Sequence, residues 1–244
     1  MARSITAVWF DLDDTLFDHT YSVCRGMDAV RAAYPGLQVR SSQELAALYN
    51  RVLNALYVGY LGGKITFEEM RCRKLKLFYE SAGVNEHGAP SLSEFHAVYD
   101  EAYRKHRRAT PGSREVLSEL KGRETPLAIL TNGKQDIQED KLKIIGLEWM
   151  ISNLLTSEKA GATKPDPKIY SWALARTKQT AGNVLMVGDS LENDVEAALR
   201  CGLSAAQYAP GANSPTVSTT YGTAPVVREW NELLGLIDDA MRFN

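Results

Sequence analysis

The chain has 244 residues, 44% hydrophobic and 24% charged, with a formal net charge of −2, so it can bury a sizeable core as one large domain or as a domain with an insertion. That balance provides no global field for a nucleic acid polymer or an anionic membrane, and no apolar stretch approaches the roughly 18 residues needed to span a bilayer, which leaves small molecules as the expected ligands. Arg3 before a short apolar run fits neither a signal peptide nor a membrane anchor, and the scattered Cys24, Cys72 and Cys201 lack metal-ligand spacing, so they are expected to stay reduced in a cytoplasm.

Ile5 to Phe10 is rich in bulky and β-branched residues and reads as a buried strand. It ends in Asp11, Asp13 and Asp14, three acids within four residues, at the strand end where open α/β sheets place ligands. Carboxylates this close are costly to bury without a cation or a shared proton. An Asx-turn accounts for the same acids without chemistry. A calcium loop of the EF-hand kind does not, because its glycine and glutamate positions hold Leu16 and Ser22.

From about Tyr21 to Arg108 the pattern is helical with no convincing strand. Leu45, Leu48, Tyr49, Val52, Leu53 and Leu56 share one helical face, and Met70, Leu75, Phe78 and Tyr79 another, as expected for helix–helix core. Gly62-Gly63 breaks the first of these helices, and Thr66 with Glu69 forms a capping box opening the next. A second break is expected from Gly83 to Ser91, then a helix through Phe95, Val98, Tyr99 and Tyr103. The basic stretch Arg104 to Arg108 suits a helix C-terminus facing solvent, with an anion site as the other reading. His19, His87, His96 and His106 form no ligand pattern.

After Pro111-Gly112 helices and strands alternate, the sign of a parallel α/β sheet. Ser113 to Lys121 is a short helix, Leu127 to Leu130 a buried strand running into Thr131-Asn132-Gly133, and Asp136 to Ile145 a helix stopped by Gly146. Asn153 to Thr156 is a weaker strand, and Lys164-Pro165-Asp166-Pro167 leads into a helix with Ile169, Trp172, Ala173 and Leu174 inside. Val184 to Val187 is the next buried strand, ending in Gly188-Asp189-Ser190, and one helix carrying Val195, Ala198 and Leu199 then runs to Gly202. Ala205 to Tyr208 and Val226-Val227 are short strands on either side of a polar loop, and Trp230 to Met241 is an amphipathic helix.

Strand ends thus carry Asp11 and Asp13, then Thr131 and Asn132, then Asp189 with Asn193 and Asp194 a turn beyond, while Lys164 opens a helix. In a parallel sheet all strand carboxyl ends lie on one edge, so these residues can converge. Singly, Asp189 or Thr131 could merely cap a helix and Lys164 could be solvated. Together they are not expected by chance.

Asp11-Leu12-Asp13-Asp14-Thr15, Leu130-Thr131-Asn132-Gly133, Lys164-Pro165 and Gly188 to Asp194 resemble, in order and spacing, the four motifs of the haloacid dehalogenase superfamily. With the stretch from Gly62 to Glu69, the set looks most like the branch of pyrimidine nucleotidases and N-acylneuraminate-9-phosphate phosphatases. The resemblance implies a Rossmann-like parallel sheet core of residues 1–18 and 109–244 and an inserted α-helical cap of residues 19–108. It implies a Mg²⁺-dependent phosphomonoesterase acting on a small phosphorylated metabolite, a nucleoside 5′-monophosphate or a sugar phosphate, in the cytoplasm. By the same resemblance Asp11 is the nucleophile that becomes an aspartyl-phosphate, and Asp13 is general acid and then general base. Thr131 with the Asn132 backbone and Lys164 hold the phosphate. Asp11, the Asp13 carbonyl and Asp189 bind the metal, with Asp194 a further acid near it. Such roles suit phosphoryl transfer, which demands positioning and charge neutralisation.

A dehalogenase needs no proton for its leaving halide and lacks the second acid, which Asp13 supplies here. A phosphomutase keeps that acid and stays an alternative, as does a non-catalytic phosphate-binding protein, although no motif residue is replaced by an inert one. A two-component receiver domain is far shorter and has no helical insertion. Tyr57, Tyr60 and Arg71, near the Gly62-Gly63 break, are candidate substrate contacts. The sequence leaves the oligomeric state open.

Overall fold

The computed structural model describes residues 5–84 and 89–242, so Arg3, His87 and part of the expected break between Gly83 and Ser91 lie outside it. The first strand, β1 (Ala7–Phe10), is buried along its whole length, the signature of a central parallel strand. The chain then forms α1 (His19–Ala33), α2 (Ser42–Leu61), α3 (Phe67–Ala82) and α4 (Leu92–Lys105). Capping boxes at Thr66 and Ser91 open α3 and α4, and Gly83, at φ 73°, closes α3 in the left-handed conformation. Tyr49 of α2 and Leu75, Phe78 and Tyr79 of α3 pack with Val23, Met27 and Val30 of α1 and with Phe95 and Tyr99 of α4. The basic stretch expected to face solvent is not wholly free of contacts: the Arg108 guanidinium lies 3.4 Å from the centre of the Tyr21 ring.

Helices and strands then alternate through α5 (Ser113–Gly122), β2 (Leu127–Thr131), α6 (Gln135–Ile144), β3 (Asn153–Thr156), α7 (Ser157–Ala160), α8 (Pro167–Thr177) and β4 (Val184–Gly188). A π-helical turn, Leu191–Glu196, runs into α9 (Ala197–Arg200), followed by β5 (Ser204–Tyr208), β6 (Thr216–Thr219), β7 (Gly222–Val227) and α10 (Trp230–Arg242). The single α-helix expected after Asp189 is therefore a π-turn joined to a short α-helix. The polar loop expected before Val226 contains β6, whose side chains alternate between exposed and half-buried on an antiparallel partner.

Among the described residues the strands form one seven-stranded sheet in the order β3-β2-β1-β4-β5-β7-β6, parallel except for the β6–β7 pair. The α/β class expected from the sequence is the class observed. Because β2 and β4 flank β1 on opposite sides, the strand order switches direction beside β1, the place where such sheets open a crevice at their carboxyl edge. One core joins Trp9, Leu130, Met186 and Ala205 of the sheet to Ile169, Tyr170 and Ala173 of α8 and Ala198 of α9. The chain divides into two units, Met1–Asp18 with Ala109–Asn244, and His19–Arg108. No helix among the described residues is long and apolar enough to cross a membrane.

Candidate active site

The acidic turn after β1 is held by its apolar members. Leu12, Leu16 and Phe17 are fully buried, and the Leu12 carbonyl accepts from the backbone N–H groups of Leu16 at 3.0 Å and Phe17 at 2.8 Å. Asp14 takes the left-handed conformation at φ 59°, which short polar side chains tolerate. The backbone N–H of Asp11 donates to the Val187 carbonyl at 2.9 Å, which sets the end of β1 level with the end of β4. Thr15, fully buried, ties the two ends together by accepting from the backbone N–H of Asp189 at 3.0 Å.

Lys164 is the centre of the cluster. Its Nζ donates to Asp11 Oδ1 and to Asp194 Oδ1, each at 2.6 Å, and lysine and both acids are buried. Such bonds are charge-assisted and strong, yet one ammonium faces more than one carboxylate. Burial pushes the Asp11 carboxyl well above its ordinary value against the pull of Lys164, with Asp194 and Asp189 adding like-charge repulsion. Burial and then the charge of Asp194 raise Asp189 to about 7. Burial alone would lower the Lys164 ammonium, but Asp11 and Asp194 outweigh it and hold the group above its usual range.

Asp194 reaches this cluster through its unusual local backbone. Its N–H and that of Val195 both donate to the Ser190 carbonyl, at 3.0 and 3.3 Å, widening the turn, while Asp194 Oδ2 accepts from the Ser190 backbone N–H at 3.1 Å. Glycine is required opposite: a Cβ on Gly188 would lie 2.3 Å from Asp194 Cγ. Asp11, Asp189 and Asp194 each bring a carboxylate oxygen within 4.8 Å of the others, a group that could hold a metal ion. The donor set fits a hard divalent cation: all its donors are oxygen, Asp11 and Asp194 are buried and Asp189 half-buried, and Lys164 neutralises them only in part.

Thr131, at the end of β2, is buried, and its Oγ1 accepts from Gln138 Nε2 at 2.8 Å. Asn132 Oδ1 accepts from the Lys164 backbone N–H at 2.8 Å, and Asn132 Nδ2 donates to the Lys164 carbonyl at 3.0 Å. That paired bond fixes the loop carrying Lys164, whose peptide bond to Pro165 is cis, to the end of β2. Asp13 sits apart from the Lys164 cluster in its partners. Lys141 Nζ contacts both of its carboxylate oxygens, at 2.6 and 2.7 Å, and Gln138 Nε2 donates to Oδ2 at 3.2 Å.

The structure thus bonds Lys164 to Asp11 and Asp194, brings an Asp189 oxygen within 4.8 Å of both acids, and links Asp13, Thr131 and Asn132 through Gln138, which also reaches the Asn132 carbonyl at 3.3 Å. Gln138, Lys141 and Thr15 were not anticipated. Gln138 and Lys141 stand three residues apart on α6, a spacing that announces a shared helix face but not what the face meets. Within the helical unit, Tyr57, Tyr60 and Phe67 form a chain of ring contacts at 5.9 and 5.8 Å, and Arg71 lies over Phe67 while pairing with Asp100 at 3.4 Å. His19 pairs with Tyr103, His96 with Asp100, and His106 with the Ala102 carbonyl.

A ribulose-1,5-bisphosphate 5-phosphatase of Halopiger xanaduensis is 30% identical over 212 residues, 86% of this chain and 87% of its own. A pyrimidine 5′-nucleotidase of Escherichia coli is 28% identical over 202 residues, 81% of this chain and 83% of its own. The solved L-2-haloacid dehalogenase of Xanthobacter autotrophicus superposes with a TM-score of 0.71 at 22% identity, covering 96% of this chain and 98% of that one, a likeness of fold. The profile of haloacid dehalogenase-like hydrolases matches residues 5–202, and the chain belongs to that family.

Proposed function

We propose that the protein is a Mg²⁺-dependent phosphomonoesterase that works through an aspartyl-phosphate on Asp11 and takes a small phosphorylated metabolite, a nucleoside 5′-monophosphate or a sugar phosphate. The observation that carries this reading is the pairing of two acids in two environments: Asp11 bonded to Lys164 in a buried cluster, and Asp13 gripped separately by Lys141 and Gln138. Two carboxyls with different partners suit two roles. The phosphatase names of the relatives support the same class of reaction.

In this reading a carboxylate oxygen of Asp11 attacks phosphorus while Asp13 gives its proton to the leaving oxygen. Asp13 then takes a proton from water as that water attacks the aspartyl-phosphate. The Thr131 hydroxyl and the Asn132 backbone N–H orient the phosphoryl oxygens, and Lys164 keeps positive charge beside them as charge builds in transfer. Asp11, Asp189 and the Asp13 carbonyl would hold Mg²⁺, with Asp194 beside it. Bound there, Mg²⁺ neutralises phosphoryl and carboxylate charge. We assign Met1–Asp18 with Ala109–Asn244 as the catalytic core and His19–Arg108 as the cap that selects the substrate. Asp13 weighs against a dehalogenase, since a departing halide has no use for a proton.

The test is phosphate release from a broad panel of phosphomonoesters, with Mg²⁺ and with chelator, by the native protein and by Asp11→Asn. Mg²⁺-dependent release that the substitution lowers by several orders of magnitude is expected. Folded protein that turns over no member of the panel overturns the reading.

A further inference from the structure

Asp13 is held more firmly than a surface acid needs to be. Lys141 Nζ grips both carboxylate oxygens, at 2.6 and 2.7 Å, which fixes the plane of the group as well as its place. The Lys141 side chain is only 12% exposed, and its ammonium passes 5.3 Å from the centre of the buried Phe17 ring, so its stem is itself seated. An ion pair between fully exposed groups would have neither restraint.

Gln138, one turn back on α6, completes the grip. It is 1% exposed, and its Nε2 stands 3.2 Å from Asp13 Oδ2 and 2.8 Å from Thr131 Oγ1. Space for it depends on Gly133, where a Cβ would lie 2.8 Å from that same nitrogen and 3.0 Å from the amide carbon. Gly133 is outside the left-handed region, so its need for glycine is one of space. The glycine of Thr131-Asn132-Gly133 therefore lets α6 reach the residues that flank it.

We propose that Lys141, backed by Gln138, is a positioning residue for Asp13, through which α6 orients the acid against Thr131; this rests on the phosphatase reading above. In the first step a bond forms from Asp11 to phosphorus and the bond from phosphorus to the leaving oxygen breaks. The leaving oxygen keeps the electron pair and takes the Asp13 proton. In the second step water oxygen bonds to phosphorus, its proton goes to Asp13, and the bond to Asp11 breaks, releasing inorganic phosphate. Oδ2 accepts from both Lys141 and Gln138, whereas the grip uses one of the two lone-pair directions of Oδ1, so Oδ1 is the oxygen that carries the proton. Misplacing such a group by about 1 Å costs on the order of 10²-fold in rate.

The test compares kcat/KM, which reports the first step, for p-nitrophenyl phosphate and for the alkyl phosphate that the native protein hydrolyses fastest, using the full chain with Mg²⁺. Nitrophenolate leaves without a proton; an alkoxide does not. Lys141→Met is expected to lose about 10²-fold on the alkyl ester and under about 3-fold on the aryl ester, with Lys141→Arg recovering most of the loss at an unchanged melting temperature. If Lys141→Met melts early, Lys141→Gln is read in its place. Equal losses on the two esters, or a change in KM alone, overturn the inference while an Asp13→Asn protein that does discriminate leaves the phosphatase reading standing. An Asp13→Asn protein that does not discriminate overturns that reading, and the inference with it.

Discussion

Asp189 shows how one carboxyl couples the site to stability. Burial, with the charges of Asp194 and Asp14, raises it to about 7, whereas in the unfolded chain it returns to a value of about 4. Between those pH values the folded protein holds a proton that the unfolded chain has released, so stability falls as pH rises through this window. In chelator, the melting temperature of the native protein is expected to drop from pH 4 to pH 7 more steeply than that of Asp189→Asn, which has no such proton. Melts at stepped pH check this, and parallel slopes would contradict it. At this scale Asp11, Asp13, Asp189, Thr131 and Lys164 were visible in the sequence because each follows a strand or opens a helix. Lys141 and Gln138 were not, since polar residues three apart on a helix read equally well as a solvated face.

Among the elements, the bond pair between Asn132 and the backbone of Lys164 carries the most local consequence. It joins the end of β2 to a loop that has no strand of its own, and so places the Lys164 ammonium between Asp11 and Asp194. Asn132→Ala removes two hydrogen bonds in a half-buried place and is expected to cost about 1–3 kcal/mol, with faster amide hydrogen exchange at Lys164 than at β2. Denaturant unfolding and exchange mass spectrometry measure the two effects; an unchanged Lys164 amide would refute the clamp. Most elements were legible from apolar periodicity, including the capping box at Thr66. The π-turn at Leu191–Glu196 was not, because a shift from four-residue to five-residue bonding leaves no mark on composition. β6 was missed because its Thr and Ser residues, exposed in alternation, look like the loop around them.

For the molecule as a whole, the metal is expected to act as a folding ligand. Asp11, Asp189 and Asp194, two buried and one half-buried, crowd oxygens within 4.8 Å against the ammonium of Lys164 that bonds two of them, a crowding of acids that a divalent cation would relieve. Mg²⁺ should raise the melting temperature in proportion to the logarithm of its concentration, adding about 2.7 kcal/mol at a hundred times its dissociation constant. Calorimetry with and without chelator checks this, and an unmoved midpoint would argue against a cation at these acids. The sequence by itself determined the α/β class, the helical stretch after the first strand and the motif residues, because strand burial, helical periodicity and strand-end chemistry are local properties of the chain. Only the tertiary structure decided which groups meet: that Lys164 bridges Asp11 and Asp194, that Gly188 makes room for Asp194, and that α6 turns Gln138 and Lys141 onto Asp13. Those contacts join residues as many as 153 positions apart, and it is the register of neighbouring strands, set by packing across the sheet, that brings them together.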